Sequence, residues 1–226
     1  MINKPNIIGI IQARMDSKRL PGKSLKILRG KPMLEHILNN VNGSELVDKF
    51  VVATSKSKSN KSICDLCDSM NIDYYEGNEL DVLSRFVDIS KFYNADILVR
   101  LTGDNPFVEH SFIDCMVQKY LNIYNNYDYL HNFAGCNFPF GLFVEIFTKD
   151  ALMKASLTKS KEDKEHVTLF FKKNSKNFKI AAVKAENIYK YERLTVDTEV
   201  DFNMAEKIMK ELNYPKNSFT YLDLTK

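Results

Sequence analysis

Cysteine is scarce in this chain, long apolar runs are missing, and neither sign of charge dominates. Four cysteines in 226 residues are too few to staple a fold of this length, which excludes a disulfide-built scaffold and points to reduced thiols. Cys64 and Cys67 form a lone C-x-x-C with no second pair at zinc-site spacing, so helix-facing thiols are expected there and not a metal clip. No run of about 18 apolar residues occurs, and the first residues lack the apolar core and cleavage pattern of a secretory leader. The expectation is a soluble, cytoplasmic protein. The 32 basic residues nearly balance 29 acidic ones, leaving a formal net charge of +3 that by itself calls for no nucleic acid. Internal repeats, low-complexity segments and linkers are also missing, and a 44% hydrophobic chain of this length suits one large α/β domain over residues 1–226.

What the chain does have is concentrated between residues 12 and 31, in the string QARMDSKRLPGKSLKILRGK. Just before it, Ile7-Ile8-Gly9-Ile10-Ile11 has the composition of a strand buried on both faces. Arg14, Lys18, Arg19 and Lys23 then gather around Pro21-Gly22. A strand that opens into a Gly-containing basic loop can aim backbone N–H groups and side-chain cations at one anion. A solvated surface loop would use the same residue types. Arg14, however, follows the strand at once, so the sheet and not a loop tip sets its position. The loop matches neither G-x-x-x-x-G-K-[ST] nor G-x-G-x-x-G, so neither of those phosphate-binding devices applies.

Beyond the loop, apolar periodicity predicts helices over residues 32–41, 59–70 and 80–93 and strands over residues 49–54, 71–75 and 95–101. This alternation predicts a mostly parallel twisted sheet with helices on both faces. Ligands of such sheets lie beyond the carboxyl ends of the strands. The basic loop, Thr54-Ser55 and Gly103-Asp104 are therefore expected around one crevice. The second half reads as a helix over residues 112–124, strands over 127–132 and 142–147, a capped helix over 160–173, and a strand over 178–183. A further strand closes at Thr195-Val196-Asp197 before a last helix over 199–212. Residues 127–190 are expected to elaborate the same domain.

The string IIQARMDSKRLPGKSLKILRGKPMLEHIL closely resembles the opening signature of the cytidylyltransferases that activate sugar acids, the acylneuraminate and 3-deoxy-manno-octulosonate types. It is most similar to the branch named after spore coat polysaccharide biosynthesis protein F. RLTGDNPFV resembles the family's metal-binding R-x-x-G-D-x-P segment, and LTVDTEVDF its second acidic segment, V-D-T-x-x-D. The resemblance implies a nucleotide-diphospho-sugar-transferase-like fold, transfer of CMP from CTP to a sugar acid or a related sugar, phosphorylated or not, and release of pyrophosphate, in surface polysaccharide or glycoconjugate synthesis. Arg14, Lys23, Asp104 and Asp197 become the catalytic set. Arg14 and Lys23 fall on the triphosphate with Arg19 beside them, and Lys18 is left open.

The same resemblance puts Ala13, Thr54, Asp81 and Arg100 around the nucleotide, and Mg2+ on Asp104 and Asp197. Magnesium suits that assignment because it keeps several waters and needs only one or two carboxylates plus phosphate oxygens. Read without the family, Asp104 in Gly-Asp-Asn-Pro would be a turn former. Asp201 stands equally as a metal ligand and as the acidic partner of a capping box with Thr198. Arg85, in the segment resembling the family's base-binding entrance, stands between function and a surface ion pair.

Glu165 and His166 resemble the family's E-H-V-T helix near the acceptor sugar, and residues 137–145 resemble its P-x-G-x-x-V-E acceptor loop. Acidic residues are expected in relatives where this chain has Phe140 and Phe143. Either those rings pack in the core or the acceptor differs. A homodimer is also expected. A glycosyltransferase using a nucleotide-sugar donor is the competing reading. It would call for a D-x-D after a strand, which is missing, and the cationic loop suits a triphosphate better than a diphosphate. A non-catalytic relative would have lost site residues, yet Arg14, Lys23, Asp104 and Asp197 are all present.

Overall fold

The computed structural model describes residues 4–133 and 135–226. Its centre is strand β1 (Ile7–Gln12), whose side chains alternate between two apolar layers. Ile7 and Ile11 join the larger buried cluster, while Ile8 and Ile10 join the smaller one on the opposite face. That period of two makes an unbroken isoleucine run right for a strand covered on both sides. Each fully buried isoleucine contributes roughly 1.5–3 kcal/mol.

After β1 come a two-stranded hairpin, β2 (Ile27–Leu28) and β3 (Lys31–Pro32), then helix α1 (Met33–Val41), β4 (Lys49–Ser55), α2 (Lys61–Ser69) and β5 (Asp73–Gly77). Helix α3 (Val82–Phe92), β6 (Ile97–Thr102) and α4 (His110–Leu121) complete the regular half. The second half contains β7 (Tyr129–His131), β8 (Glu145–Thr148), α5 (Lys149–Ala155), α6 (Lys161–His166), α7 (Leu169–Lys173), β9 (Ile180–Ala182) and α8 (Glu199–Glu211). The seven-stranded sheet runs β5-β4-β1-β6-β8-β7-β9. Its first four strands are parallel, β8 is antiparallel to both neighbours, and β9 is parallel to β7. This is the mostly parallel single α/β domain expected. Helices α1, α4 and α8 pack on one face and α3, α5 and α7 on the other.

Three expectations fail locally. The predicted helix over residues 160–173 is two helices, α6 and α7, separated where Val167 takes φ +44°. The strand expected to close at residues 195–197 does not form. Arg193 makes a single bridge to Phe140, after which the N–H groups of Leu194 and Thr195 both donate to the Phe140 carbonyl and the ladder ends. Residues 142–144 lie outside β8 because Asn132 replaces the ladder there, donating to Leu142 O at 2.7 Å and accepting from Val144 N at 2.8 Å. Helix α5, capped by Thr148, and the β2–β3 hairpin were not anticipated.

Cys64 and Cys67 are buried on α2 as expected, unbonded to each other, and burial first of all pushes their thiols up to about 11 and about 12. Among the described residues, no helix is long and apolar enough to cross a membrane.

Candidate active site

The basic loop is a constructed turn. Met15 O accepts from the N–H groups of Ser17 and Gly22, both at 2.9 Å, while Met15 N donates to Asn60 Oδ1 at 2.8 Å. Asn60 Nδ2 in turn donates to Ser55 Oγ at 2.7 Å, which ties the loop to the end of β4. Ser24 Oγ donates to Arg14 O at 2.9 Å. Gly22 sits at φ +72°, where a side chain would be strained, and starts the 3-10 turn Lys23–Leu25. The chain is thereby reversed so that the Lys23 side chain enters the molecule.

Lys23 Nζ donates to Asp104 Oδ2 at 3.0 Å, to Asp197 Oδ1 at 3.0 Å and to Val196 O at 2.8 Å. Asp104 is placed by the end of β6. Gly103 N donates to Gln12 O at 2.8 Å, and Thr102 Oγ1 donates to Asp104 Oδ1 at 2.6 Å. Asp197 is brought alongside because Val196 N donates to Asp104 O at 2.8 Å. Its Oδ1 also meets Arg19 Nη2 at 2.9 Å, and its Oδ2 meets Arg193 Nη2 at 3.0 Å. Burial alone would raise the Asp197 pKa, but Lys23, Arg19 and Arg193 outweigh it and hold the carboxyl below its usual value.

Asp201 plays a different part. Its Oδ2 accepts from the N–H of Thr198 at 2.9 Å, and its N–H donates to Thr198 Oγ1, completing the capping box of α8. Arg193 Nε donates to its other oxygen at 2.7 Å. Burial opposes ionisation, yet Arg193 and the Thr198 donors lower its pKa to about 2. Its Oδ2 also accepts from Asp197 N at 3.1 Å, and Arg193 bridges the two side chains, so Asp201 adjoins the Asp104–Asp197 pair while the capping role is the one that the geometry shows.

Arg14, Lys18, Arg19, Lys23, Asp104 and Asp197 line a cavity of about 570 Å3, together with Ala13, Arg85, Arg100, Glu165 and His166. Arg14 faces Glu165 across it at 3.9 Å. Two nucleotide expectations are not met by this lining. Thr54 is fully buried within β4, so its side chain lies inside the sheet and not at the crevice. Asp81 is the N-cap of α3, accepting from Ser84 N at 2.9 Å, and its other oxygen meets Lys164 at 2.8 Å. Arg85 is buried, not paired on the surface, and donates to the carbonyls of Asn78 at 2.7 Å and Glu79 at 2.9 Å.

A smaller cavity of about 380 Å3 adjoins the first and shares Arg100, Thr102, Asn105, Phe140 and Phe143 with it. Phe133, Glu145 and Lys172 complete its wall. Arg100 donates to Glu145 and, through Nε at 3.1 Å, to Gln12 Oε1, while the Tyr129 hydroxyl donates to the other oxygen of Glu145. Burial works against a charged Glu145, but Arg100 and Lys172 override it and keep the carboxyl below its usual pKa.

The sequence profile of the family described as cytidylyltransferase matches residues 8–221. The chain belongs to the cytidylyltransferase family. The uncharacterized protein MJ1063 of Methanocaldococcus jannaschii is 40% identical over 210 residues, covering 92% of this chain and 84% of that one. Spore coat polysaccharide biosynthesis protein SpsF of Bacillus subtilis is 30% identical over 214 residues, covering 91% and 87%. A cytidylyltransferase structure from Leptospira borgpetersenii superposes with a TM-score of 0.88 at 29% identity, covering 98% of this chain and 92% of that one. Membership makes this cytidylyltransferase a nucleotidyltransferase.

Sequence reasoning overlooked three parts of the cytidylyltransferase site. Arg193 stands four residues before Asp197 and eight before Asp201, a spacing that could have signalled the clamp. Gln12 and Asn60 carry no local signal, because their partners come from distant segments.

Proposed function

We propose that the enzyme transfers CMP from CTP to a sugar acid, in the synthesis of a surface polysaccharide or glycoconjugate. One observation carries this reading. A cationic loop and two carboxylates from distant segments meet through Lys23 at the carboxyl ends of β1 and β6, beside a cavity of about 570 Å3. Three cations, Lys23, Arg19 and Arg193, face the acidic group of Asp104, Asp197 and Asp201. Arg14, Lys18, Arg85 and Arg100 also line the cavity, offset in part by Glu165 beside Arg14 and Glu145 beside Arg100, and the remaining excess of positive charge suits a triphosphate. At an effective dielectric of about 20, a pair of unit charges about 4 Å apart is worth roughly 4 kcal/mol.

Asp104 and Asp197 also suit a divalent cation. Their oxygens converge on one point, which the ammonium of Lys23 now holds, and paired carboxylates with room for phosphate oxygens match the preference of Mg2+. Bound there, Mg2+ would neutralise charge on the triphosphate and favour ionisation of the attacking hydroxyl. Arg14, Arg19 and Lys23 orient the phosphates. The acceptor oxygen bonds to the α-phosphorus, the bond from that phosphorus to the bridging oxygen breaks, and pyrophosphate leaves. The hydroxyl proton passes to solvent. Positioning and charge stabilisation dominate such a step.

A matrix of nucleoside triphosphates against sugar acids and phosphorylated sugars, scored by pyrophosphate release with Mg2+, tests the reading. CTP with a sugar acid is the expected productive pair. Release that requires a different triphosphate, or hydrolysis of a nucleotide sugar in its place, would refute it.

A further inference from the structure

Asp104 and Asp197 each commit one oxygen to a fixed neighbour. Oδ1 of Asp104 accepts from the Thr102 hydroxyl at 2.6 Å and Oδ2 of Asp197 from Arg193 Nη2 at 3.0 Å, which leaves Asp104 Oδ2 and Asp197 Oδ1 to converge on Lys23. The two restraints differ in strength. A hydroxyl rotates away at little cost, whereas a guanidinium–carboxylate bond is charge-assisted and fixed in direction. Arg193 also owes its place to more than Asp197. Its Nε donates to Asp201 Oδ1 at 2.7 Å and its Nη2 to Asp201 Oδ2 at 3.3 Å, while the capping box of α8 fixes Asp201 in turn. The guanidinium carbon lies 4.9 Å from the centroid of the Phe140 ring, and the Arg193 backbone is bridged to Phe140. Arg193 lines a third cavity, of about 270 Å3, beside Phe107, Val200 and Met204, whereas Asp197 lines the cavity of about 570 Å3. The guanidinium therefore grips Asp197 from behind, on anchors that do not depend on Lys23.

We propose that Arg193 is a positioning residue that confines Asp197 to ligation through one oxygen, and so sets the preference of the site for Mg2+ over a larger divalent cation such as Ca2+. The inference rests on the reading that Asp104 and Asp197 hold a metal-bound nucleotide, and it adds which metal that pair admits. Mg2+ demands a compact octahedron, which single carboxylate oxygens, phosphate oxygens and water supply. Ca2+ takes more oxygens and accepts a carboxylate that bites with both of its own. At Asp197 the second oxygen is already engaged, and pulling it free would leave the guanidinium with Asp201 alone. Without the guanidinium that oxygen is released, and the carboxylate is free to turn and offer both. Arg193 need not touch the nucleotide, because its effect runs through Asp197.

The test is calorimetric titration of the intact enzyme with a non-hydrolysable CTP analogue, saturated beforehand with Mg2+, with Ca2+, or kept metal-free by a chelator. The wild type is expected to bind the Mg2+ complex at least about tenfold more tightly than the Ca2+ complex. Arg193→Met should shrink that ratio by at least about fivefold, mainly by tightening the Ca2+ complex. Arg193→Lys still places a cation on Asp197 Oδ2, so it should restore most of the ratio although it holds Asp201 less well. If Arg193→Met does not fold, Asp201→Asn takes its place. It keeps an oxygen for the capping box but loosens the guanidinium, and a shift in the same direction of at least about twofold is expected. A purely structural Arg193 would weaken both metal complexes alike and lower the melting temperature with the ratio unchanged, and that result overturns the inference. So does a wild type that binds the two complexes equally. Wild-type binding that is as tight without metal as with it removes the metal reading of Asp104 and Asp197 as well, whereas an unchanged ratio on top of metal-dependent binding sinks only the role given to Arg193.

Discussion

Lys23 and Asp197 lie 174 positions apart in the chain, yet their side chains meet at 3.0 Å, and Lys23 is only 8% exposed. A buried ammonium shared by two carboxylates is structural, and under the proposed function it also meets the phosphates, so its removal should register twice. Lys23→Met is expected to lower stability by about 2 kcal/mol, less than a deeply buried pair would lose because the carboxylates border a cavity. Turnover should fall by roughly 100-fold or more. Urea denaturation and pyrophosphate release check the two effects. Adding Asp197→Asn to Lys23→Met should restore part of the stability and none of the turnover, and recovery of both would refute the dual role.

The same ammonium makes a prediction about metal binding. With Asp104 and Asp197 already neutralised, a divalent cation added alone meets little free negative charge. Titration of Mn2+ followed by electron paramagnetic resonance should show weak binding to the free enzyme. Binding should tighten by at least tenfold when CTP supplies phosphate oxygens and draws Lys23 and Arg19 toward itself. Asp104→Asn and Asp197→Asn should abolish the tightening and turnover while the circular dichroism spectrum stays native. Equal Mn2+ affinity with and without CTP would rule out this competition.

Asp201 carries a pH signature. Its folded pKa of about 2 lies below the roughly 3.9 of an unfolded aspartate. Because the folded state favours the carboxylate, the stabilisation is fully present above about pH 4 and is lost as pH falls through 2. Asp201→Asn should therefore melt below the wild type at pH 5–7, with the gap narrowing below pH 4. A gap that stays constant down to pH 2 would show that the Arg193 clamp contributes nothing through charge.

The parallel half of the sheet and the basic loop were legible because their signals are local. The isoleucine alternation in β1 sets its own burial, and four cations crowd a single turn. Thr54 was misplaced because sequence gives the end of β4 but not which face each side chain takes. The capping role of Asp81 was readable in Asp-x-x-Ser, had the helix start been set at Val82. The break between α6 and α7 had no local signal, since apolar residues continue through Val167, Leu169 and Phe171. Tertiary contacts accompany it. Lys164 of α6 pairs with Asp81, and Lys172 of α7 reaches Glu145 in the neighbouring pocket.

Gly141 offers a test of how the two cavities are joined. It sits at φ +106°, and a Cβ there would fall 2.2 Å from Thr195 N and 2.8 Å from Thr195 Cα. At this crossing the loop around Phe140 lies against the segment that delivers Asp197, with Phe140 N donating to Glu192 O at 2.8 Å and Leu194 N to Phe140 O at 2.7 Å. Gly30, in the turn between β2 and β3, has a similar φ of +88° but nothing within 4 Å of its built Cβ. Gly30→Ala should therefore cost only the left-handed penalty of about 1 kcal/mol and leave turnover intact. Gly141→Ala must also push two backbone segments apart, so it should lower the melting temperature further and reduce turnover at least tenfold by displacing Asp197. Equal losses in the two variants would mean that backbone conformation alone accounts for Gly141, and that the crossing does not fix the spacing of the two cavities.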